Sequence, residues 1–147
     1  MSNIIINIEY LKSWNGIFKI LQLVLGMVCV GIIGNEFNNG ILISYTPQCF
    51  FLVTTSTFFI GTFILFASYL MSPSATSMIP KTIYEFFYHT VASILLLAAS
   101  IATMVQINRD SAYINYAALL AASICGLLNT ILYICSAVMG YSTYGDD

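Results

Sequence analysis

Four long apolar stretches separated by short polar interruptions fill most of this chain: Trp14 to Gly34, Cys49 to Met71, Lys81 to Ile107 and Tyr116 to Gly140. Each has about 20 residues or more, enough at ~1.5 Å per residue to cross a hydrocarbon core of roughly 30 Å. Short alternating segments of the kind that build membrane barrels are not what this pattern shows. The backbone hydrogen bonds of a spanning chain must then be satisfied inside helices. The connections carry turn chemistry. Residues 35–48 (NEFNNGILISYTPQ) hold an Asn-Asn-Gly turn signal and a proline that should stop a helix, residues 72–80 (SPSATSMIP) are bracketed by prolines, and residues 108–115 read NRDSAYIN. The expected fold is therefore all-α: an integral-membrane four-helix bundle, antiparallel between sequence neighbours, with short loops.

Composition strengthens this reading. The chain of 147 residues is 59% hydrophobic and 7% charged, with a mean hydropathy of +0.90, where a soluble domain carries about 25% charged residues. Its formal net charge of -2 offers neither a basic face for nucleic acid nor a polybasic tract for anionic lipid. Residues 1–13 mix apolar and polar positions and suit a cytoplasmic or interfacial segment. Trp14 is placed as an interfacial anchor and Lys19 as a cation whose stem snorkels to the membrane surface. Cleavage as a signal peptide is not expected, because the first stretch is too long and no small-residue cleavage site follows it. Residues 141–147 read as a cytoplasmic tail, and no separate soluble domain is expected within these residues. An even number of spans puts both termini on one side, and Lys12, Lys19 and Lys81 lie there against Arg109 on the other. The positive-inside rule makes that side cytoplasmic.

The candidate chemistry gathers on the third span, which holds the only histidine, His89, and an acidic residue inside an apolar run, Glu85. Lys81, Glu85, His89 and Ser93 are spaced by four and share one helix face. An ionisable group within a membrane is costly, about 2.5 to 3.5 kcal/mol near the helix centre, so a proton relay, an ion site and a partner contact are all possible uses. The plainer reading is a polar clamp that fixes helix register, with Lys81 near Glu85 and a neutral His89 bonded to a hydroxyl on a neighbouring helix. The threonines of the second span are expected to bond back to their own backbone. Small residues mark two candidate helix-association faces: Gly26, Gly31 and Gly34 on the first span, and Ala118, Ala122 and Gly126 on the fourth. These faces serve either contacts between proteins or the interior of the bundle. One histidine, few carboxylates and scattered thiols make no metal site. Cys29, Cys49, Cys125 and Cys135 show no C-x-x-C spacing and no obvious pairing, while Cys135 is a candidate for palmitoylation. No nucleophile-base pair, phosphate loop or carboxylate pair stands at a recognisable spacing, so neither catalysis nor a cofactor is expected.

The run from Tyr84 through Glu85, Phe86, Phe87, Tyr88, His89 and Thr90 to the small cluster Ala98, Ala99 and Ser100 resembles the third-helix signature of the MARVEL-domain family. In that signature an aromatic-His pair leads into an apolar stretch that ends in Ala and Ser. The four-span layout is similar over nearly the whole chain. The claudin pattern is different, with a long first extracellular loop that this chain lacks. The resemblance implies a role in membrane organisation: vesicle trafficking, membrane apposition, cell junctions or preparation for fusion. It implies as partners membrane lipids, including sterol-rich membrane, further copies of the chain or other membrane proteins, at the plasma membrane or in vesicles. The alternative is a small channel or transport subunit whose pathway is lined by Glu85, His89 and the second-span threonines.

Overall fold

A computed structural model describes residues 12–38, 46–71, 83–109 and 116–143. The expectations made for Lys81, for most of the N-terminal segment, for the loops and for the end of the tail lie outside these residues. Four helices account for nearly everything described: α1 (Trp14–Asn38), α2 (Thr46–Met71), α3 (Ile83–Arg109) and α4 (Tyr116–Thr143). All four are long and apolar enough to cross a membrane, and the described residues contain no strand. The chain is an all-helical, integral membrane protein.

Two helix ends differ from the sequence reading for local reasons. Pro47 lies in the first turn of α2 instead of stopping the chain before it. A proline is tolerated there because its missing N–H would have had no partner within the helix. Helix α4 runs through Gly140 to Thr143. Gly140 serves contact, not termination: a Cβ there would lie 3.2 Å from the backbone nitrogen of Phe86 on α3.

Each helix packs on its neighbours in sequence, and α4 closes the ring against α1. The contacts run antiparallel. Along α1 and α4, Gln22 meets Ser136 and Cys29 meets the carbonyl of Ala122. Along α2 and α3, Tyr69 meets Glu85 and Thr62 meets Tyr88. The positions that face inward recur at three- and four-residue steps, as in Lys19, Gln22, Gly26, Cys29 and Ile33 on α1. That repeat is the seam of helices packed at a shallow angle.

The interior is unusual for its polarity. Among the described residues the buried set includes Lys19, Gln22, Thr62, Glu85, His89, Ser100 and Asn129 beside apolar side chains. The exterior is apolar instead, with Met27, Val53, Phe63, Ile94 and Val138 all more than half exposed. This is the partition expected of a bundle whose solvent is lipid, where outward apolar side chains cost nothing and polar groups must find partners inside. Polar residues crowd the half of the bundle that holds the start of α1 and the end of α4. The opposite half closes on a cluster of Cys29, Ile33, Phe51, Ala99, Ile107, Leu119 and Ala122.

Close packing in that half rests on Gly126. A Cβ there would collide with Ser100 Oγ and come within 2.9 Å of the Phe51 ring. At Gly31, by contrast, a Cβ meets nothing within 4 Å. Gly126→Ala is therefore expected to destabilise the bundle by about 1 to 3 kcal/mol, the usual cost of overpacking. Gly31→Ala should be neutral or stabilising by up to about 1 kcal/mol, because alanine is the better helix former. Thermal unfolding in one detergent tests both variants.

Candidate functional site

The polar residues assemble into a cluster that joins three helices. Lys19 enters from α1 at the level of the first turns of α3, and its side chain is wholly buried. Its Nζ donates to Glu85 Oε1 at 2.9 Å and to Asn15 Oδ1 at 3.0 Å, and lies 3.1 Å from His89 Nε2. The acceptors match the three protons of an ammonium group. His89 Nδ1 sits 2.7 Å from the carbonyl of Glu85 one turn earlier. A carbonyl only accepts, so Nδ1 carries the proton and Nε2 presents its lone pair to Lys19.

Glu85 is satisfied in the same way. Oε1 takes Lys19 and, at 3.4 Å, Asn15 Nδ2, while Oε2 accepts from the Tyr69 hydroxyl of α2 at 2.8 Å. The Tyr69 ring centroid lies 5.7 Å from Lys19 Nζ, within range of a cation–π contact. The helices bridged by Lys19 and Glu85 are α1 and α3, which stand diagonally across the ring. An ion pair on that diagonal sets the register of helices that share few backbone contacts.

A second diagonal is tied deeper in the bundle. Thr62 Oγ1 of α2 lies 2.7 Å from the Tyr133 hydroxyl of α4 and 3.1 Å from the Tyr88 hydroxyl of α3. Both tyrosines also donate to the Phe58 carbonyl, at 3.1 and 3.3 Å. The His89 ring stacks obliquely on Tyr133 with centroids 5.8 Å apart, so the two clusters touch. Between α1 and α4, Gln22 Nε2 donates to the Leu132 carbonyl and to Ser136 Oγ.

The structure places the expected site residues unevenly. Glu85 and His89 face the interior together, as their spacing predicts, and Ser93 is buried but donates to the Thr90 carbonyl of its own helix at 2.8 Å. The partner of Glu85 is Lys19, which was expected to snorkel outward. It turns inward because it lies in the seam with Gln22 and Gly26, where a carboxylate, an amide and an imidazole can replace its water. Thr55 and Thr57 bond back to the carbonyls of Phe51 and Val53, whereas Thr62 reaches across to the tyrosines.

Of the association candidates, Ala122 and Gly126 face the bundle interior and Gly26 meets Phe59 of α2, with a Cβ there 3.2 Å from the ring. Ala118 is half-buried. Gly31 and Gly34 border open space. None of the four cysteines is joined in a disulfide. Among the described residues no group of three His, Cys, Asp or Glu side chains stands close enough to hold a metal ion.

Comparison with known proteins adds one finding. The model of the MARVEL family, described as a membrane-associating domain, matches residues 10–139. No curated protein and no solved structure matches the chain.

The buried pair yields a prediction. Removing one member leaves the other charge unpaired inside the bundle, at a cost of about 3 to 5 kcal/mol. Lys19→Met and Glu85→Gln are each expected to lose stability on that scale. The double replacement should recover a large part of the loss, which a double-mutant cycle on unfolding in mild detergent measures.

Proposed function

We propose, from the premise that this chain belongs to the MARVEL family of membrane-associating domains, that it organises membranes by lateral association and carries out no catalysis. Vesicle trafficking, membrane apposition, cell junctions and preparation for fusion are the settings in which such a protein works. Its place is then the plasma membrane or vesicles, with both termini in the cytoplasm. The observation that carries the reading is the division between a polar interior, whose ion pair is matched within the bundle, and an apolar outer surface. With the charges of Lys19 and Glu85 spent on one another, the described surface within the bilayer offers partners shape and apolar contact.

Two features support lateral contact. Gly31 and Gly34 leave part of α1 thin and open, which lets a neighbouring backbone approach closely. A shallow groove of about 340 Å³ between α1 and α4, lined by residues including Leu21, Val24, Leu128 and Ile131, adds a surface on which lipid chains or another helix can pack. Lipids, further copies of the chain and other membrane proteins are the partners this surface suits. Against the channel alternative, Glu85 and His89 are held in the clamp with Lys19.

A C-terminal tag imaged in cells that express the protein, with and without permeabilisation, tests place and orientation. Concentration in vesicle clusters or at cell contacts, with the tag reached only after permeabilisation, is expected. An even spread over the surface would count against the proposal. In reconstituted vesicles, energy transfer between labelled copies should fall several-fold in a Gly31→Leu, Gly34→Leu variant whose melting temperature is unchanged. Undiminished transfer would remove this face from the proposal.

A further inference from the structure

The seam between α1 and α4 contains two carbonyl oxygens with an unmet need. Gln22 is 1% exposed and Asn129 3% exposed. Their amide orientations are fixed by backbone acceptors, since Gln22 Nε2 faces the Leu132 carbonyl at 3.2 Å and Asn129 Nδ2 faces the Gln22 carbonyl at 3.4 Å. Turning either amide over would set oxygen against oxygen. Gln22 Oε1 and Asn129 Oδ1 are thereby held as acceptors, and neither receives a hydrogen bond from any protein group. Ser100 Oγ, which packs against Gly126 one turn from Asn129, is without a partner as well.

A buried acceptor left unmet bears the full desolvation penalty of its group. The neighbouring hydroxyls do not supply it: Thr130 Oγ1 donates to the Gly126 carbonyl at 2.9 Å, the Tyr133 hydroxyl is held by Thr62 and Phe58, and Ser100 Oγ is within hydrogen-bond reach of neither amide oxygen. Both amides are too deeply buried for a second protein to reach, and the hydrocarbon core supplies no donor.

The geometry points to internal water in this seam, donating to Gln22 Oε1 and Asn129 Oδ1. Water is the small donor that such polar sites take up in folded proteins. The seam adjoins the ion-pair cluster, because Gln22 follows Lys19 by one turn of α1. It is closed in the other direction by Cys29, Ile33, Leu119 and Ala122, all fully buried and apolar. The hydrated stretch is therefore a blind inlet entered from the side that carries the start of α1, and not a pathway through the bilayer.

Water-edited solid-state NMR on the wild-type protein in deuterated lipid bilayers tests this directly. Magnetisation should pass from water to the side-chain amides of Gln22 and Asn129, with Asn108 at the exposed end of α3 as the positive control and the Cys29 and Ala122 backbone amides as the dry reference. Signal at Asn108 without signal at Gln22 and Asn129 would overturn the inference. Equal build-up at Cys29 and Ala122 would overturn the blind end. Ser100→Ala, which leaves both amides in place, is expected to keep the two transfers, and their loss in that variant would contradict the assignment of the water to the amide oxygens.

Discussion

A lysine ammonium and a glutamate carboxylate 2.9 Å apart, both out of reach of the surroundings, are the constraint on which the rest of this bundle depends. Either charge alone inside a membrane is expensive. Together they still require that every remaining proton and lone pair be met, because desolvation otherwise exceeds the Coulombic gain. The bundle meets that demand with Asn15 from α1, Tyr69 from α2 and His89 from α3. Three helices must hold their relative heights for these groups to coincide. The pair spans 66 residues of sequence and the diagonal of the ring, so its geometry is fixed only once the first three helices are in place.

The second tie, from Thr62 to Tyr133, crosses the other diagonal. Adjacent helices pack by small residues and aromatic rings, as at Gly140 against Phe86 and Gly126 against Ser100, while the Phe51 ring reaches Gly126 across the diagonal from α2 to α4. Diagonal helices share few backbone contacts and are joined chiefly by long side chains, most of them polar. With association between apolar helices weak in lipid, such directional ties confer a single register that apolar packing alone would leave less defined. What remains on the outside is apolar and faces lipid and neighbours, which is where a membrane-organising activity has to reside.

The all-helical membrane class was legible from the apolar stretches, and the spacing of Glu85 and His89 puts both on one helix face, which the structure turns inward. Lys19 departs from its sequence expectation, since a lysine five residues into a span resembles a side chain that reaches back to the surface. The signal was present in the steps from Asn15 to Lys19, Gln22, Gly26, Cys29 and Ile33, which trace the seam of α1. Helical phase outweighs depth at this position. Tyr69 and Tyr133 were hidden for a different reason: tyrosines in a span read equally as interfacial anchors, and only the antiparallel register brings them to Glu85 and Thr62. Small-residue spacing likewise cannot say whether a face turns inward, as at Ala122 and Gly126, or outward, as at Gly31.

The most direct measurement of the central claim exchanges the charges. Lys19→Glu and Glu85→Lys would be compared singly and together for folding in bilayer-like detergent, by thermal melting and by resistance to proteolysis. If the pair locks the diagonal, each single reversal sets like charges together and abolishes the cooperative melt, while the double reversal restores a folded bundle with a lowered melting temperature. Single variants that melt like the wild type would contradict the claim that this pair sets the register of the fold.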